Sequence, residues 1–151
     1  MEYQAALEQF YKKLGKKKIM ALATSLNDHV TVRNVSCLIY DKRLFFKTDK
    51  EFRKTKQLIA NPNVAICHWG VQMEGTAVNH GLVIDEPEQK FQTLYEKYWK
   101  TSYTAYPHRD TEILIEVVPR FVEIWDQDEN DRGFQLMIDF DQQTAEKIDY
   151  D

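Results

Sequence analysis

No stretch of this chain is apolar for long enough to cross a bilayer as a helix, which takes about 20 consecutive residues, so no membrane association is expected. The first 18 residues are charged and broken by Gly15, with no secretory apolar core, and a cytoplasmic location follows as the expectation. Cysteine is scarce. Cys37 and Cys67 stand in separate apolar runs, which reads as two small buried hydrophobes rather than a disulfide framework. With no Cys-x-x-Cys pair and only 4 scattered histidines, a zinc site has no support, and His68 reads as a packed or rim histidine. No glycine-rich turn joins a strand to a helix, and strands and helices do not alternate regularly, which argues against a doubly wound nucleotide fold. Ser25, Asp28, His29 and His68 form no recognisable nucleophile–base set. Repeats, linkers and low-complexity segments are also lacking.

What is present is ordinary for a single globular domain. The 151 residues, 43% hydrophobic and 29% charged, can enclose one core, and residues 1–151 are read as one domain. Aromatics reach 13%, enough to serve a core and an apolar ligand slot together. The net charge of −4 is unevenly spread. Residues 1–60 hold 13 Lys/Arg against 6 Asp/Glu, a balance of +7, and residues 61–151 hold 7 against 18, a balance of −11. The basic half raises the question of nucleic acid. Its densest cluster, Lys12, Lys13, Lys16, Lys17 and Lys18, reads instead as a solvated helix end, where lysines complement the dipole. The interleaved aromatic and basic residues of an RNA-binding sheet are absent, so no nucleic-acid partner is expected.

Leu7, Phe10, Tyr11 and Leu14 recur at helical spacing, with Gly15 as C-cap. Residues 19–25 read as a buried strand, and a turn at Asn27-Asp28 leads into a strand over 30–40. Asp41-Lys42-Arg43 turns it into a strand over 44–48. A helix capped by Asp49 follows, with Phe52, Thr55, Leu58 and Ile59 as its apolar stripe and Pro62 ending it. Strands are expected over 64–69 and 71–84, with Gly75 at a bulge or close approach. Pro87 is placed at the start of a helix carrying Phe91, Leu94, Tyr95, Tyr98 and Trp99 on one face. A polar, aromatic loop over 101–109 leads to a last long strand over 112–125, interrupted at Pro119, then an acidic turn and a short C-terminal helix. About six strands with short turns and a few intervening helices give an α+β fold on a small antiparallel barrel with flanking helices.

Chemistry concentrates between Arg33 and Pro62. An arginine stands mid-strand among Val30, Val32 and Val35, where a guanidinium needs an anion or open water. Arg53-Lys54 opens a helix whose N-terminus supplies orphan N–H groups and the positive end of a dipole. Cations and the Thr48 hydroxyl at one corner of a sheet suit a phosphate.

The segments Ala21-Leu22-Ala23-Thr24-Ser25, Val32-Arg33-Asn34-Val35, Leu44-Phe45-Phe46-Lys47-Thr48, Arg53-Lys54 and Gln57 through Ala65, followed by Gly75, resemble in order and spacing the FMN-binding split barrel of the pyridoxamine 5′-phosphate oxidase-like family. The resemblance covers residues 19–125. It implies a split β-barrel and an FMN cofactor. It also implies a flavin phosphate on Arg53 and Lys54, a flavin lined by Arg33, Asn34, Val35, Ser36 and Leu38, and further contacts from Lys47 and Thr48. It implies a homodimer with the flavin at the subunit interface, where Tyr103, Tyr106, His108 and Trp125 are candidates to reach it. The flavin would carry the redox chemistry, so no triad or paired carboxylates are required.

Three departures separate the chain from true pyridoxamine-phosphate oxidases. Leu38 stands where they carry a lysine for the substrate phosphate, and Gly70 stands where they carry a glutamine. Their arginine- and tryptophan-bearing terminal segment is replaced by the acidic stretch 126–151. A pocket without its phosphate cation loses charge-assisted binding, so pyridoxamine phosphate is not the expected substrate. The expected function is an FMN-dependent oxidoreductase that transfers electrons or hydride to or from a small molecule, with NAD(P)H as candidate reductant. The rivals are a non-catalytic flavin or haem binding protein and a deazaflavin-dependent reductase on the same fold.

Overall fold

The computed structural model describes residues 1–105 and 110–150. Helix α1 (Tyr3–Leu14) leads into strands β1 (Lys17–Leu26), β2 (His29–Tyr40) and β3 (Arg43–Asp49). Helix α2 (Arg53–Ala60) is followed by β4 (Asn63–His68) and β5 (Val71–Leu82). Helices α3 (Lys90–Tyr98) and α4 (Lys100–Ala105) precede β6 (Glu112–Gln127), β7 (Gly133–Asp139) and β8 (Thr144–Asp149). The strands run in the order β3-β2-β1-β4-β5-β6-β7-β8, and β3 also pairs with β6. That extra pairing closes β1 to β6 into a six-stranded antiparallel barrel, with β7 and β8 continuing from β6 as an apron. The split-barrel α+β expectation is therefore correct for this chain.

Local chemistry explains most boundaries. Asn27-Asp28 and Asp41-Lys42 form two-residue hairpin turns with φ near 51°, 63°, 54° and 56°, the mirror-image turn that matches strand twist. Gly15 ends α1 at φ 70°, its N–H donating to the Tyr11 carbonyl. The β5–β6 ladder shifts register between Glu74 and Gly75, where Pro119 lies opposite. A Cβ on Gly75 would sit 2.7 Å from the Val118 carbonyl oxygen, so the strand carries a glycine there.

The main core fills the barrel. Met20, Leu22, Cys37, Phe46, Ile66, Ile115, Val117, Val122 and Ile124 lie inside, and Phe10 and Leu14 of α1 complete the cluster. A second, smaller core lies on the outer face: Leu38 of β2, Phe45 of β3 and Leu114 of β6 pack under Phe91 and Tyr95 of α3.

Several expectations change. Asp49 does not cap α2. It ends β3, and its carboxylate accepts hydrogen bonds from the Glu51 N–H and the Thr111 hydroxyl, each at 2.8 Å. Phe52 occupies the cap position and makes no side-chain cap bond. Pro87 opens a short 3₁₀ turn, and α3 starts three residues later because Glu88 and Gln89 take left-handed backbone angles. β6 runs unbroken through Pro119, the bulge absorbing the missing N–H. The C-terminal segment is not a helix: alternation in Phe134, Leu136 and Ile138 buries one face of β7 on the core. His68 is a rim histidine, its Nδ1 2.8 Å from the Ile19 carbonyl oxygen. Among the described residues, no helix is long and apolar enough to cross a membrane, and no cluster of His, Cys, Asp and Glu could hold a metal.

Candidate functional site

β2 and β3 pair only at Leu38–Tyr40 with Arg43–Phe45. Below those rungs they part. β3 continues along β6 through Asp49, and β2 continues along β1 through His29. The edge of β2 that faces away from β1 therefore has no β3 ladder along Arg33–Cys37, and its alternate N–H and C=O groups lack that partner. A cleft of about 380 Å³ opens here, lined by Asn34, Val35 and Ser36 of β2, Lys47, Thr48 and Asp49 of β3, and Phe52 and Lys54 at the start of α2. Tyr95 of α3 and Glu112 of β6 complete it.

Three cations, Arg33, Arg53 and Lys54, lie close enough to act on one another at the start of α2, and Lys54 lines the cleft. Arg33 is pinned by neutral acceptors: its Nη1 donates to the Leu22 carbonyl at 3.0 Å and the Thr24 hydroxyl at 2.9 Å. Its Nη2 donates to the Thr31 hydroxyl and, at 3.3 Å, to Gln57 Oε1. Both threonine hydroxyls donate in turn to Gln57 Oε1, at 2.7 and 2.9 Å. These bonds orient the guanidinium without neutralising it. Among the described residues no carboxylate forms an ion pair with Arg33, Arg53 or Lys54. Burial and the neighbouring Arg53 charge lower the Arg33 pKa, and burial and Arg33 lower that of Lys54. Cations that destabilise one another this way are relieved by an anion. The first turn of α2 also holds no acidic residue and its cap makes no side-chain bond, which leaves the positive helix end available.

The β3–β6 wall of the cleft differs. Lys47 forms an ion pair with Glu112 at 2.6 Å, and its ammonium lies 4.6 Å from the centre of the Tyr95 ring. Thr48 is buried, its hydroxyl 2.8 Å from that of Thr55, which ties β3 to α2.

Of the sequence-derived candidates, Asn34, Val35, Ser36, Lys47, Thr48 and Lys54 share the cleft. Arg33 does not line the cleft; Thr24, Thr31 and Gln57 hold it, and Gln57 borders a neighbouring cavity. Arg53 borders the same cavity, of about 490 Å³, with Asn27, His29, Glu51, Lys56 and Gln57. Leu38 does not line the cleft; it lies 1% exposed in the outer core beneath α3. Tyr103 packs at the edge of that same core, and Trp125 stacks on Tyr150 with ring centres 5.5 Å apart, away from the cleft. Tyr106 and His108 lie outside the described residues. Sequence reasoning missed Phe52, Tyr95 and Glu112 as lining residues and Thr24, Thr31 and Gln57 as the supports of Arg33. The hairpin turn at Asn27-Asp28 was the one available signal, since it sets Thr24 opposite Thr31.

The family described as pyridoxamine 5′-phosphate oxidase matches residues 4–126, and the chain belongs to that family. Its fold is similar to that of PhzG from Burkholderia lata 383, solved with tetrahydrophenazine-1-carboxylic acid (16% identity, 99% of this chain and 92% of that one, TM-score 0.63). A pyridoxamine 5′-phosphate oxidase-related, FMN-binding protein from Nostoc punctiforme PCC 73102 matches with 15% identity over 99% and 93% of the two chains, TM-score 0.58. An FAD-binding protein from Mesorhizobium loti matches with 16% identity over 70% and 83%, TM-score 0.54. No curated protein sequence matches.

Proposed function

We propose that this protein binds FMN in the cleft between β2 and β3 and acts as a flavin-dependent oxidoreductase on a small molecule. The observation that carries the reading is the convergence of Arg33, Arg53 and Lys54, none of them in an ion pair among the described residues, at the uncapped start of α2, beside a cleft bounded by an unladdered strand edge. Residues and group fit. The cations and helix end would hold the phosphate, and the polar edge of a flat ring would meet the N–H and C=O groups of Asn34–Ser36. When bound, the flavin supplies two-electron chemistry. NAD(P)H is the candidate reductant. Membership of the family and the FMN- and FAD-binding proteins of similar fold support a flavin.

We extend the proposal to a cytoplasmic homodimer with the flavin at the subunit interface. Val30, Val32 and Trp69 are exposed apolar side chains that a second subunit would cover. A sedimentation mass of one chain, 17.9 kDa, in the presence of FMN would end this part of the proposal.

Pyridoxamine phosphate is not the proposed substrate. Leu38, at the position of the substrate-phosphate lysine, is sealed in the outer core. Saturable oxidation of pyridoxamine phosphate to the aldehyde would overturn this.

A visible spectrum of the purified protein after addition of FMN and removal of free ligand tests the cofactor. A charged hydrogen bond is worth about 1.5–3 kcal/mol, so Arg53→Ala and Lys54→Ala should each weaken FMN binding about tenfold or more. Unchanged affinity in the double variant would remove the phosphate assignment. A second reading, FAD, is favoured by the cavity of about 490 Å³ adjoining Arg53, which would take an adenylate. Chromatography of the released flavin decides between the two.

A further inference from the structure

We propose that the flavin ring lies against Lys47 and Glu112 in the cleft and that this pair sets the charge it meets, Lys47 favouring the reduced ring over the oxidised one and Glu112 restraining it. The proposal rests on the flavin reading above. Lys47 and Glu112 belong to the β3–β6 ladder that closes the barrel, on the outward rows that also carry Phe45 and Leu114. Their side chains are only 8% and 11% exposed, and both line the cleft.

A buried ion pair is a poor choice for stability alone. Desolvation offsets its attraction, and an apolar pair of similar size would hold the two strands as well. The other cross-strand pair on this ladder shows the contrast. Arg43 binds Glu116 through two nitrogens at 2.7 and 2.9 Å, but Arg43 is half-exposed and outside the cleft. Among the described ion pairs, only Lys47–Glu112 places both charges in the cleft wall, where the low surrounding dielectric amplifies any charge change.

Acceptance of a hydride from a nicotinamide donor adds two electrons and one proton to the ring, a net charge of −1, and leaves the donor oxidised. Lys47 Nζ would oppose that added charge, and the Glu112 carboxylate would disfavour it. The phosphate-end cations face a group whose charge is the same in both redox states, so they act on both affinities alike. Lys47 and Glu112 are thus positioning residues for charge.

The test titrates oxidised FMN, and anaerobically reduced FMN, into the wild type, Lys47→Met, Lys47→Arg and Glu112→Gln. Lys47→Met should lower the preference for reduced over oxidised FMN at least tenfold, which is about 30 mV in a two-electron potential. Glu112→Gln should raise it, and Lys47→Arg should stay within threefold of the wild type. Equal changes in both affinities, or shifts of the same sign in Lys47→Met and Glu112→Gln, would overturn the proposal. If Lys47→Met fails to fold because it strands Glu112, the rise or its absence in Glu112→Gln alone decides. A wild type that binds no flavin in either state overturns the flavin reading and this proposal with it. A wild type that binds flavin, with variant preferences unchanged, overturns this proposal alone.

Discussion

At Gly70 a Cβ would lie 2.2 Å from the Trp125 carbonyl oxygen, and that contact is backbone on the receiving side. The Trp125 N–H also donates to the Gly70 carbonyl at 2.8 Å, so neither the β4–β5 turn nor β6 can move away without losing a bond. Gly70→Ala should therefore destabilise the fold by about 1–3 kcal/mol, read as a lower urea midpoint with unchanged slope. The same contact disfavours any side chain here, a glutamine included. Glu116 gives a second prediction. The Arg43 hydrogen bonds, then those of His80, hold its carboxyl below the ordinary glutamate range against the opposing effect of burial. A depressed carboxylate contributes stability that is present above its unfolded pKa of about 4.3 and is lost as pH falls through the lower folded value. Thermal stability should fall on acidification below about pH 4.3, and Glu116→Gln should flatten that part of the profile.

Helix α3 is short, and its place is fixed by two residues. Phe91 is fully buried and Tyr95 nearly so, with ring centres 5.6 Å apart over Leu38, Phe45 and Leu114. Because Tyr95 also lines the cleft, the outer core and the ligand site share one support. Phe91→Ala should cost about 3–5 kcal/mol in denaturant unfolding and weaken FMN binding, although Phe91 does not line the cleft. Helix α2 contributes differently. Its buried Thr55 donates to the Asp49 carbonyl at 2.6 Å and meets the Thr48 hydroxyl, fixing the helix start at the end of β3. Thr55→Val should lower both FMN affinity and the melting temperature, since it frees the helix start and removes the buried bonds to Thr48 and the Asp49 carbonyl.

Across the whole molecule, the barrel is closed by residues far apart in sequence. β3 meets β6 across more than sixty residues, and β7 then seals the last apolar face of β6 with Phe134, Leu136 and Ile138. Truncation after Gln127 should abolish cooperative unfolding rather than trim it, measured by calorimetry, because it uncovers Val122 and Ile124 of the main core. The C-terminal expectation failed for a related reason. A short segment that alternates polar and apolar residues has no strand identity until β6 offers an edge to pair with.

Local chemistry alone determined the hairpins at Asn27-Asp28 and Asp41-Lys42, the α1 stop at Gly15, the glycine at the β5 bulge and the cationic opening of α2. Each depends on backbone angles or charges within a few residues, so each was legible from the chain. Only the tertiary structure decided which residues share the cleft. The parting of β2 from β3, the ladder from β3 to β6 and the seat of α3 bring Lys47, Tyr95 and Glu112 together. Those contacts depend on which distant strand edges meet and where a helix finds apolar cover. Leu38 marks the limit: strand alternation puts it on the same outward face as Asn34 and Ser36, yet Phe45, Leu114 and the covering helix α3 seal it in the outer core.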